Sequence, residues 1–431
     1  MKPLLGCIAD DFTGATDLGN TLVNHGMRVL QTVGLPETTC SFTENVDAIV
    51  VALKCRSIPP RAAVREATKA LDWLKRCGCV QYFWKYCSTF DSTPTGNIGP
   101  VADALLDRLG EAPTIVCPAF PDTGRTVYQG HLFVYDNLLN ESSMREHPLN
   151  PMTDSSLLRL LRTQTLKRVG HLAWPIVRKG TEAIRNEIKA LQRQGISYIV
   201  TDAVENTDLY NIGAACAGHR LVTGSSGIAM GLPANFRAAK LLDHDQNATV
   251  LPPITGPTAI LSGSCSATTR TQVEKAKAHY PFFKLDPMAL SQGEEKTIVK
   301  FIEPVVAKLP RSPVLVYAGV DAAEILRIQE KLGQQRAAEL IEWAMGRIAV
   351  HLHANGVNRF IIAGGETAGA VVSALKIKGL RIGRQIDSGV PWTVSIGHPK
   401  IALALKSGNF GSPDFFIKAI NMFNDSDKNT P

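Results

Sequence analysis

Short apolar runs, each ending in a cluster of glycine or polar residues and followed by a helical pattern, recur along the whole chain of 431 residues. Their apolar character is continuous, which is typical of strands covered on both faces, and the intervening helical patterns favour parallel crossover connections. The sequence therefore predicts an α/β fold built on mostly parallel sheets flanked by helices. The clearest runs are residues 4–9, 48–53, 114–117, 196–201, 259–262, 314–316, 360–363 and 401–405.

One segment interrupts this pattern. Residues 243–257, DHDQNATVLPPITGP, are polar and then rich in proline and glycine, which is typical of an interdomain linker. We therefore expect a first domain of residues 1–243, a linker of residues 244–257 and a second domain of residues 258–431. Because substrates commonly bind between domains, we also expect an active-site cleft there.

Composition excludes several classes of protein. The 46 Lys and Arg against 39 Asp and Glu give a net charge of +7, too dilute for a nucleic-acid partner without a local basic stripe, which the sequence lacks. No run approaches the ~18 apolar residues of a bilayer-spanning helix, so no membrane partner is expected.

The number of cysteines, nine, is odd, and no CxxC motif occurs, which favours reduced, mostly buried thiols. With no signal-peptide pattern at the N terminus, this indicates a cytoplasmic protein.

Three segments of the second half place glycine and hydroxyl residues directly after a predicted strand. Glycine lets the backbone approach an anion closely, and amides at a helix start and nearby hydroxyls add donors. Each loop alone could be a tight turn, but three together suit a polyphosphate. The chain has neither the GK dipeptide of a Walker A loop nor the GxG of the dinucleotide fingerprint, so a nucleotide would be held by another scheme. The candidate binding residues are Ser262, Ser264, Gly364, Gly365, Glu366, Thr367, Ser407, Gly408 and Asn409.

Acidic residues follow the first predicted strand, in the sequence ADDFTGATD. Paired carboxylates at a strand end can accept hydrogen bonds from sugar hydroxyls, deprotonate one of them, or hold magnesium. Helix capping explains one acid but not the pair. Basic and polar residues follow other strands, which predicts a mixed-charge pocket for a small hydroxylated acid. A further glycine turn, residues 224–227, has an open role. The candidates are Asp10 and Asp11 for catalysis, and Thr13, Asp17, Arg56, Lys85, Asp91 and Arg125 for substrate binding.

Five sequence blocks, in order along nearly the whole chain, resemble the four-carbon acid sugar kinase family. They are GCIADDFTGATDLGNTLVNHGMRVLQTVG, KYCSTFDSTPTGNIGPV, CPAFPDTGRTVYQGHLFV, AGGETAGAVV and LKSGNFGSPDFF. The first block is most similar to the branch that phosphorylates 3-oxo-tetronates. The resemblance implies an N-terminal acid-sugar-binding domain and a C-terminal nucleotide-binding domain. It also implies ATP and Mg²⁺ as cofactors, with ATP contacts at Ser264, residues 364–367 and Gly408.

The expected reaction is transfer of the γ-phosphate of ATP to the 4-hydroxyl of a four-carbon acid sugar. We expect Asp10 or Asp11 to orient or deprotonate that hydroxyl, and Arg125, with Lys54 or Arg56, to bind the carboxylate. Three alternatives stay open: a D-threonate or D-erythronate 4-kinase, a nicotinamide-dependent sugar-acid dehydrogenase, and a non-catalytic sensor. The missing GxGxxG counts against the dehydrogenase. The expected partner is the small-molecule substrate, and a homodimer stays open.

Overall fold

A computed structural model of the protein describes residues 2–36, 45–147, 150–243, 248–291, 294–318, 330–331, 333–398 and 400–428. These residues form two compact units, Met1–Thr249 and Val250–Pro431, called the first and the second unit below. Each unit is built on a sheet flanked by helices, which confirms the predicted two-domain α/β fold with mostly parallel strands.

The first unit contains strands β1 (Leu5–Ala9), β2 (Val29–Val33), β3 (Ala48–Ala52), β4 (Gln81–Lys85), β5 (Thr114–Cys117), β6 (Arg125–Tyr128), β7 (His131–Val134), β8 (Asn137–Leu138), β9 (Val169–Leu172), β10 (Tyr198–Thr201) and β11 (Leu221–Gly224). Its helices are α1 (Phe12–Asn24), α2 (Pro60–Cys77), α3 (Ile98–Leu109), α4 (Leu157–Gln164), α5 (Trp174–Val177), α6 (Thr181–Arg193), α7 (Asn206–Ala215) and α8 (Leu232–Ala238), with short 3₁₀ turns at Pro121–Thr123, Leu139–Glu141, Ser143–Glu146 and Ser226–Gly231.

The main sheet of this unit has the strand order β2-β3-β1-β4-β11-β5-β10-β9, and all of these pairings are parallel. Every residue of β1, β3, β4 and β5 is buried, as expected for strands covered by helices on both faces. Strands β6, β7 and β8 form a separate antiparallel sheet. The carboxyl ends of β1, β4 and β5 therefore lie on one edge of the main sheet.

The second unit contains strands β12 (Thr258–Ser262), β13 (Phe282–Leu285), β14 (Val314–Ala318), β15 (Arg359–Ala363), β16 (Gly379–Asp387), β17 (Val390–Ser395) and β18 (Ala402–Lys406), and helices α9 (Ala267–Lys277), α10 (Pro287–Ser291), α11 (Glu294–Val306), α12 (Gln334–Ala354), α13 (Gly365–Ala374) and α14 (Phe415–Lys428). Its strand order is β13-β14-β12-β15-β18-β17-β16, parallel up to β18 and antiparallel beyond it. A core of residues such as Val273, Ile361, Trp392 and Phe416 packs within the unit.

Cysteine pairing departs from expectation at one position. Among the described residues, seven cysteines are free and five of these are buried, as predicted, but Cys77 takes part in a disulfide. The expectation of reduced thiols throughout is wrong there, because spacing along the chain does not reveal which thiols come within bonding distance. Among the helices of the described residues, none combines the length and apolar character required to span a bilayer.

Candidate active site

Arg56 contacts three acidic residues of the first unit. Its guanidinium donates to both carboxylate oxygens of Asp10, Nε to Oδ2 at 2.8 Å and Nη2 to Oδ1 at 2.9 Å. The same Nη2 lies 2.6 Å from Oδ1 of Asp11, and Nη1 lies 3.5 Å from Oδ2 of Asp91. One arginine therefore holds three carboxylates, and the structure brings together four of the candidate residues named from the sequence.

Lys85 adds a second positive charge to this group. It ends β4, its side chain is 5% exposed, and its Nζ lies 3.8 Å from Oδ1 of Asp11. A Cβ atom on Gly14 would lie 2.1 Å from this Nζ and 2.2 Å from Oδ1 of Asp11, so the absence of a side chain at Gly14 makes room for the pair. Asp10, Asp11, Asp91, Arg56 and Lys85 are called the acid cluster below.

Asp11 is also the N-cap residue of helix α1, immediately before its first residue. Its backbone is extended, with φ −143° and ψ 162°, and its carboxylate accepts from the amide of Gly14 at 3.1 Å and from the hydroxyl of Thr13 at 2.8 Å. The carboxylate is therefore an N-cap as well as a member of the acid cluster. The Thr13 predicted for substrate binding acts here as a donor to Asp11.

The two adjacent carboxyl groups, Asp10 and Asp11, differ in acidity. Burial raises the pKa of Asp10 against the opposing effect of Arg56. Burial also works against ionisation of Asp11, but Arg56, Lys85 and the hydrogen bonds from Gly14 and Thr13 together outweigh it and hold the pKa of Asp11 well below its usual range. Asp11 is therefore an ionised hydrogen-bond acceptor at every ordinary pH.

Amide and hydroxyl side chains support the acid cluster. The Nδ2 of Asn97 donates to the carbonyls of Cys55, Arg56 and Ile58 at 2.7, 3.1 and 2.8 Å, which fixes the loop that carries Arg56. The hydroxyl of Thr89 donates to Oδ1 of Asp91 at 2.5 Å. These bonds make the cluster a rigid arrangement.

Asp17 lies on helix α1 near the acid cluster. Burial raises the pKa of Asp17, opposed by the charge of Lys85 and by the Ser226 hydroxyl. Ser226 belongs to the glycine turn at residues 224–227, whose role the sequence left open. That turn follows β11, which lies between β4 and β5, so it extends the same edge of the sheet towards Arg125.

Arg125 lies at the start of β6, outside the acid cluster. Its Nη1 donates to the carbonyl of Thr123, and its guanidinium lies 5.5 Å from the centre of the Tyr135 ring. It makes no ion pair with any described carboxylate, and its buried Nε has no hydrogen-bond partner among the described residues. Strand β5, which leads to it, is three strand spacings from β1, or roughly 14 Å.

In the second unit, three loops converge at the carboxyl ends of neighbouring strands β12, β15 and β18. They are residues 263–266, 364–367 and 407–409, called the glycine loops below. A Cβ atom on Gly263 would lie 2.2 Å from Oγ1 of Thr367, and one on Gly408 would lie 2.6 Å from Oγ of Ser264. The structure therefore brings together the loops that the sequence predicted as a polyphosphate site.

The glycine loops leave backbone amides free. Helix α13 begins at Gly365 after Gly364, which is at φ 122° and supplies no side-chain cap for the start of the helix. The amides of Gly408 and Asn409 have no acceptor among the described residues. The hydroxyl of Ser262 is also buried without a partner there. Free amides and a buried hydroxyl are the donors that an anionic ligand needs.

The remaining candidates occupy the rims of these loops. Ser407 accepts the amide of Phe410 at 3.2 Å through its carbonyl, Asn409 is exposed, and Glu366 lies in the first turn of α13. The candidates named from the sequence did not include Lys406 and Thr269, whose side chains are hydrogen-bonded to each other beneath the Gly408 loop. The signal was present, since Lys406 ends an otherwise apolar strand pattern, IALAL. Among the described residues no group of three or more acidic, His or Cys side chains has a metal-binding arrangement.

Comparisons with known proteins match this division of the chain. Residues 5–232 match the family model described as a sugar-binding N-terminal domain, and residues 259–416 match the one described as a nucleotide-binding C-terminal domain. Curated relatives named 3-oxo-tetronate kinase include one from Burkholderia multivorans, 51% identical with 97% of both chains covered, and one from Haemophilus influenzae, 44% identical with 97% of this chain and 100% of the relative covered.

Two solved structures have the same fold over nearly the whole chain. One from Salmonella typhimurium is 41% identical with a TM-score of 0.89 and covers 97% of this chain and 99% of its own. Another, from Haemophilus influenzae, is 43% identical with a TM-score of 0.84 and covers 97% of this chain and 100% of its own.

Proposed function

The chain belongs to the four-carbon acid sugar kinase family, among the 3-oxo-tetronate kinases, and we propose that it transfers the γ-phosphate of ATP to the 4-hydroxyl of a 3-oxo-tetronate. The observation that carries this proposal is the 51% identity to a relative of that name over 97% of both chains, because it spans both units. The acid cluster and the glycine loops supply the two kinds of site that such a reaction needs.

The glycine loops are the proposed ATP site. Ser264, residues 364–367 and Gly408 would donate to the phosphates through amides and hydroxyls, with Ser262, Ser407 and Asn409 beside them. The amides of Gly408 and Asn409, which have no acceptor among the described residues, suit this role, because N–H groups in a glycine turn can bind an anion. Bound Mg²⁺ would neutralise charge on the phosphoryl group being transferred, and it is commonly held by phosphates and water with one or two carboxylates.

The acid sugar is proposed to bind along the edge of the first-unit sheet. Arg125 has unused donors in a partly buried setting, which suits a two-pronged contact with the substrate carboxylate. Arg56 is occupied by three carboxylates, so its proposed role is to hold the acids.

Asp11 is proposed as the acceptor that orients the 4-hydroxyl. It is 26% exposed, whereas Asp10 is 5% exposed and bound by Arg56 on both oxygens. A low pKa makes Asp11 a weak base, which is sufficient where phosphoryl transfer is largely dissociative and the hydroxyl proton leaves late. Lys85 would keep Asp11 ionised, and Asp17 and Asp91 would complete the polar wall. Because ATP is a cytoplasmic metabolite, we also place the reaction there.

The test is an assay of ADP release with 3-oxo-tetronates, D-threonate and D-erythronate, each corrected for ATP hydrolysis without an acid. We expect kcat/KM to be highest for a 3-oxo-tetronate, by about tenfold or more, because a pocket built for one hydrogen-bonding pattern rejects the other. An equal kcat/KM for D-threonate or D-erythronate would contradict the proposed substrate but not the proposed kinase activity. No acid-dependent ADP release with any of them would overturn the kinase itself.

A further inference from the structure

Lys406 is a fully buried lysine. It ends β18 with 0% exposure, and its Nζ donates to Oγ1 of Thr269 at 2.8 Å and to the carbonyl of Gly408 at 3.2 Å. No carboxylate of the described residues lies within 4 Å of it. A buried ammonium paired only with neutral oxygens is costly, so its presence here needs a reason.

The carbonyl of Gly408 is held by three side chains. It accepts from Ser266 Oγ at 2.6 Å, from Thr269 Oγ1 at 2.8 Å and from Lys406 Nζ at 3.2 Å. In a trans peptide the carbonyl of one residue and the amide of the next point in opposite directions. With the Gly408 carbonyl turned inward, the amide of Asn409 points outward, and that amide has no acceptor among the described residues.

The elements packed around Lys406 carry titratable groups that do not pair with it. Of the elements packed on β18, β15 carries Arg359 and α13 carries Glu366, while β17 has no titratable residue. Helix α9, which supplies Thr269, carries Arg270, Glu274, Lys275 and Lys277, and Cys265 lies in the loop before it. None of these side chains pairs with Lys406. Burial lowers the pKa of Lys406 to about 7, so near neutrality its charge responds to what binds above it.

We propose that Lys406 is a positioning residue of the nucleotide site, which turns the Gly408 carbonyl inward so that the Asn409 amide faces the bound phosphates, and which takes up a proton from solvent when the polyphosphate binds. The proposal rests on the proposed function, because it requires a polyphosphate at the glycine loops. Nearby phosphate charge favours the protonated amine, so binding and protonation are linked. Nucleotide affinity should then fall as the pH rises above about 7, where the free protein has lost the proton that the complex needs.

The experiment is isothermal titration of the full protein with MgADP at pH 8, where the nucleotide phosphates carry no exchangeable proton, in two buffers of different ionisation enthalpy. We expect uptake of close to one proton per nucleotide. Lys406→Met should bind MgADP with no uptake, and its KM for ATP should rise on the order of tenfold with the KM for the acid unchanged. The matched control is Lys378→Met, since Lys378 is an exposed lysine of the same unit. It should keep both the proton uptake and the KM for ATP.

The outcomes separate the two proposals. MgADP that binds to the unaltered protein without proton uptake, with an affinity that does not vary between pH 7 and 9, overturns the role of Lys406 and leaves the kinase intact. An absence of nucleotide binding at every pH overturns the ATP site itself. Because the unaltered protein alone decides the first question, the test stands even if Lys406→Met fails to fold.

Discussion

Arg56 and Arg125 carry the same charge, but they differ in how many of their hydrogen-bond donors are already paired. Arg56 is shared by Asp10, Asp11 and Asp91, whereas Arg125 makes no ion pair with a described carboxylate and buries an Nε without an acceptor. A buried donor left unpaired costs free energy, and a ligand oxygen that reaches it recovers that cost. The proposed carboxylate contact is therefore assigned to Arg125.

Substitution of Arg125 tests this assignment. Arg125→Gln should raise the KM for the acid roughly 30-fold, since a hydrogen bond to a charged group is worth about 2 kcal/mol, while the KM for ATP stays unchanged. Arg125→Lys should recover only part of the loss, because a lysine cannot form the two-pronged contact. Steady-state kinetics with each substrate varied in turn give the answer, and an unaltered KM for the acid in Arg125→Gln would dismiss the assignment.

The types of the candidate site residues were predictable from the sequence, but the ion pairs and hydrogen bonds between their side chains were not. The strand-end positions of Asp10, Asp11, Arg56, Lys85 and Asp91 are visible in the sequence, and the structure brings them together. Which arginine is occupied depends on side-chain geometry across residues far apart in the chain. Lys406 was missed because a lysine at a strand end resembles a solvated charge, and only burial under the Gly408 loop distinguishes it.

At the start of helix α1, the side chain of Asp11 both caps the helix and forms ion pairs. Asp11 satisfies the amide of Gly14 at the start of the helix and presents its second oxygen to Arg56 and Lys85. Its depressed pKa stabilises the fold above the unfolded pKa of about 4, and that stability is lost as the pH falls towards the folded value. Capping and chemistry are therefore combined in one carboxylate.

Two substitutions separate capping from chemistry. Asp11→Asn keeps an N-cap of similar strength, whereas Asp11→Ala removes it and should lower the free energy of unfolding by about 1 kcal/mol more. Both should lower kcat about a hundredfold, since both remove the anionic acceptor. Urea unfolding and kcat are measured on the same preparations. A near-normal kcat in Asp11→Asn would remove this carboxylate from the proposed reaction.

The strands were predicted unevenly. All eight apolar runs named from the sequence are strands, with ends shifted by at most two residues, because parallel strands buried on both faces leave a continuous signal. The other ten strands of the described residues, β2, β4, β6, β7, β8, β9, β11, β13, β16 and β17, were not among the named runs. In β6, β7 and β16 burial is partial, so these three strands lack the continuous apolar run on which the prediction depended.

The two units differ in the kind of site that they carry as well as in their strands and helices. Each unit has its own set of strands and its own buried residues, and the two family models fall one on each unit. The amides left free at the glycine loops all belong to the second unit, and the acid cluster belongs entirely to the first. The two substrates should therefore leave separate footprints on the backbone.

Hydrogen exchange detects those footprints. A non-hydrolysable ATP analogue with Mg²⁺ should slow exchange at residues 262–269, 364–368 and 407–410, because amides that donate to phosphates are protected, while residues 10–17 stay unchanged. The acid alone should slow exchange at residues 10–17 and 122–128. AMP serves as the control, and it should protect the glycine loops far less because it lacks the polyphosphate that the free amides are proposed to bind. Protection by the analogue confined to the first unit would contradict the assignment of the glycine loops, whatever the acid does.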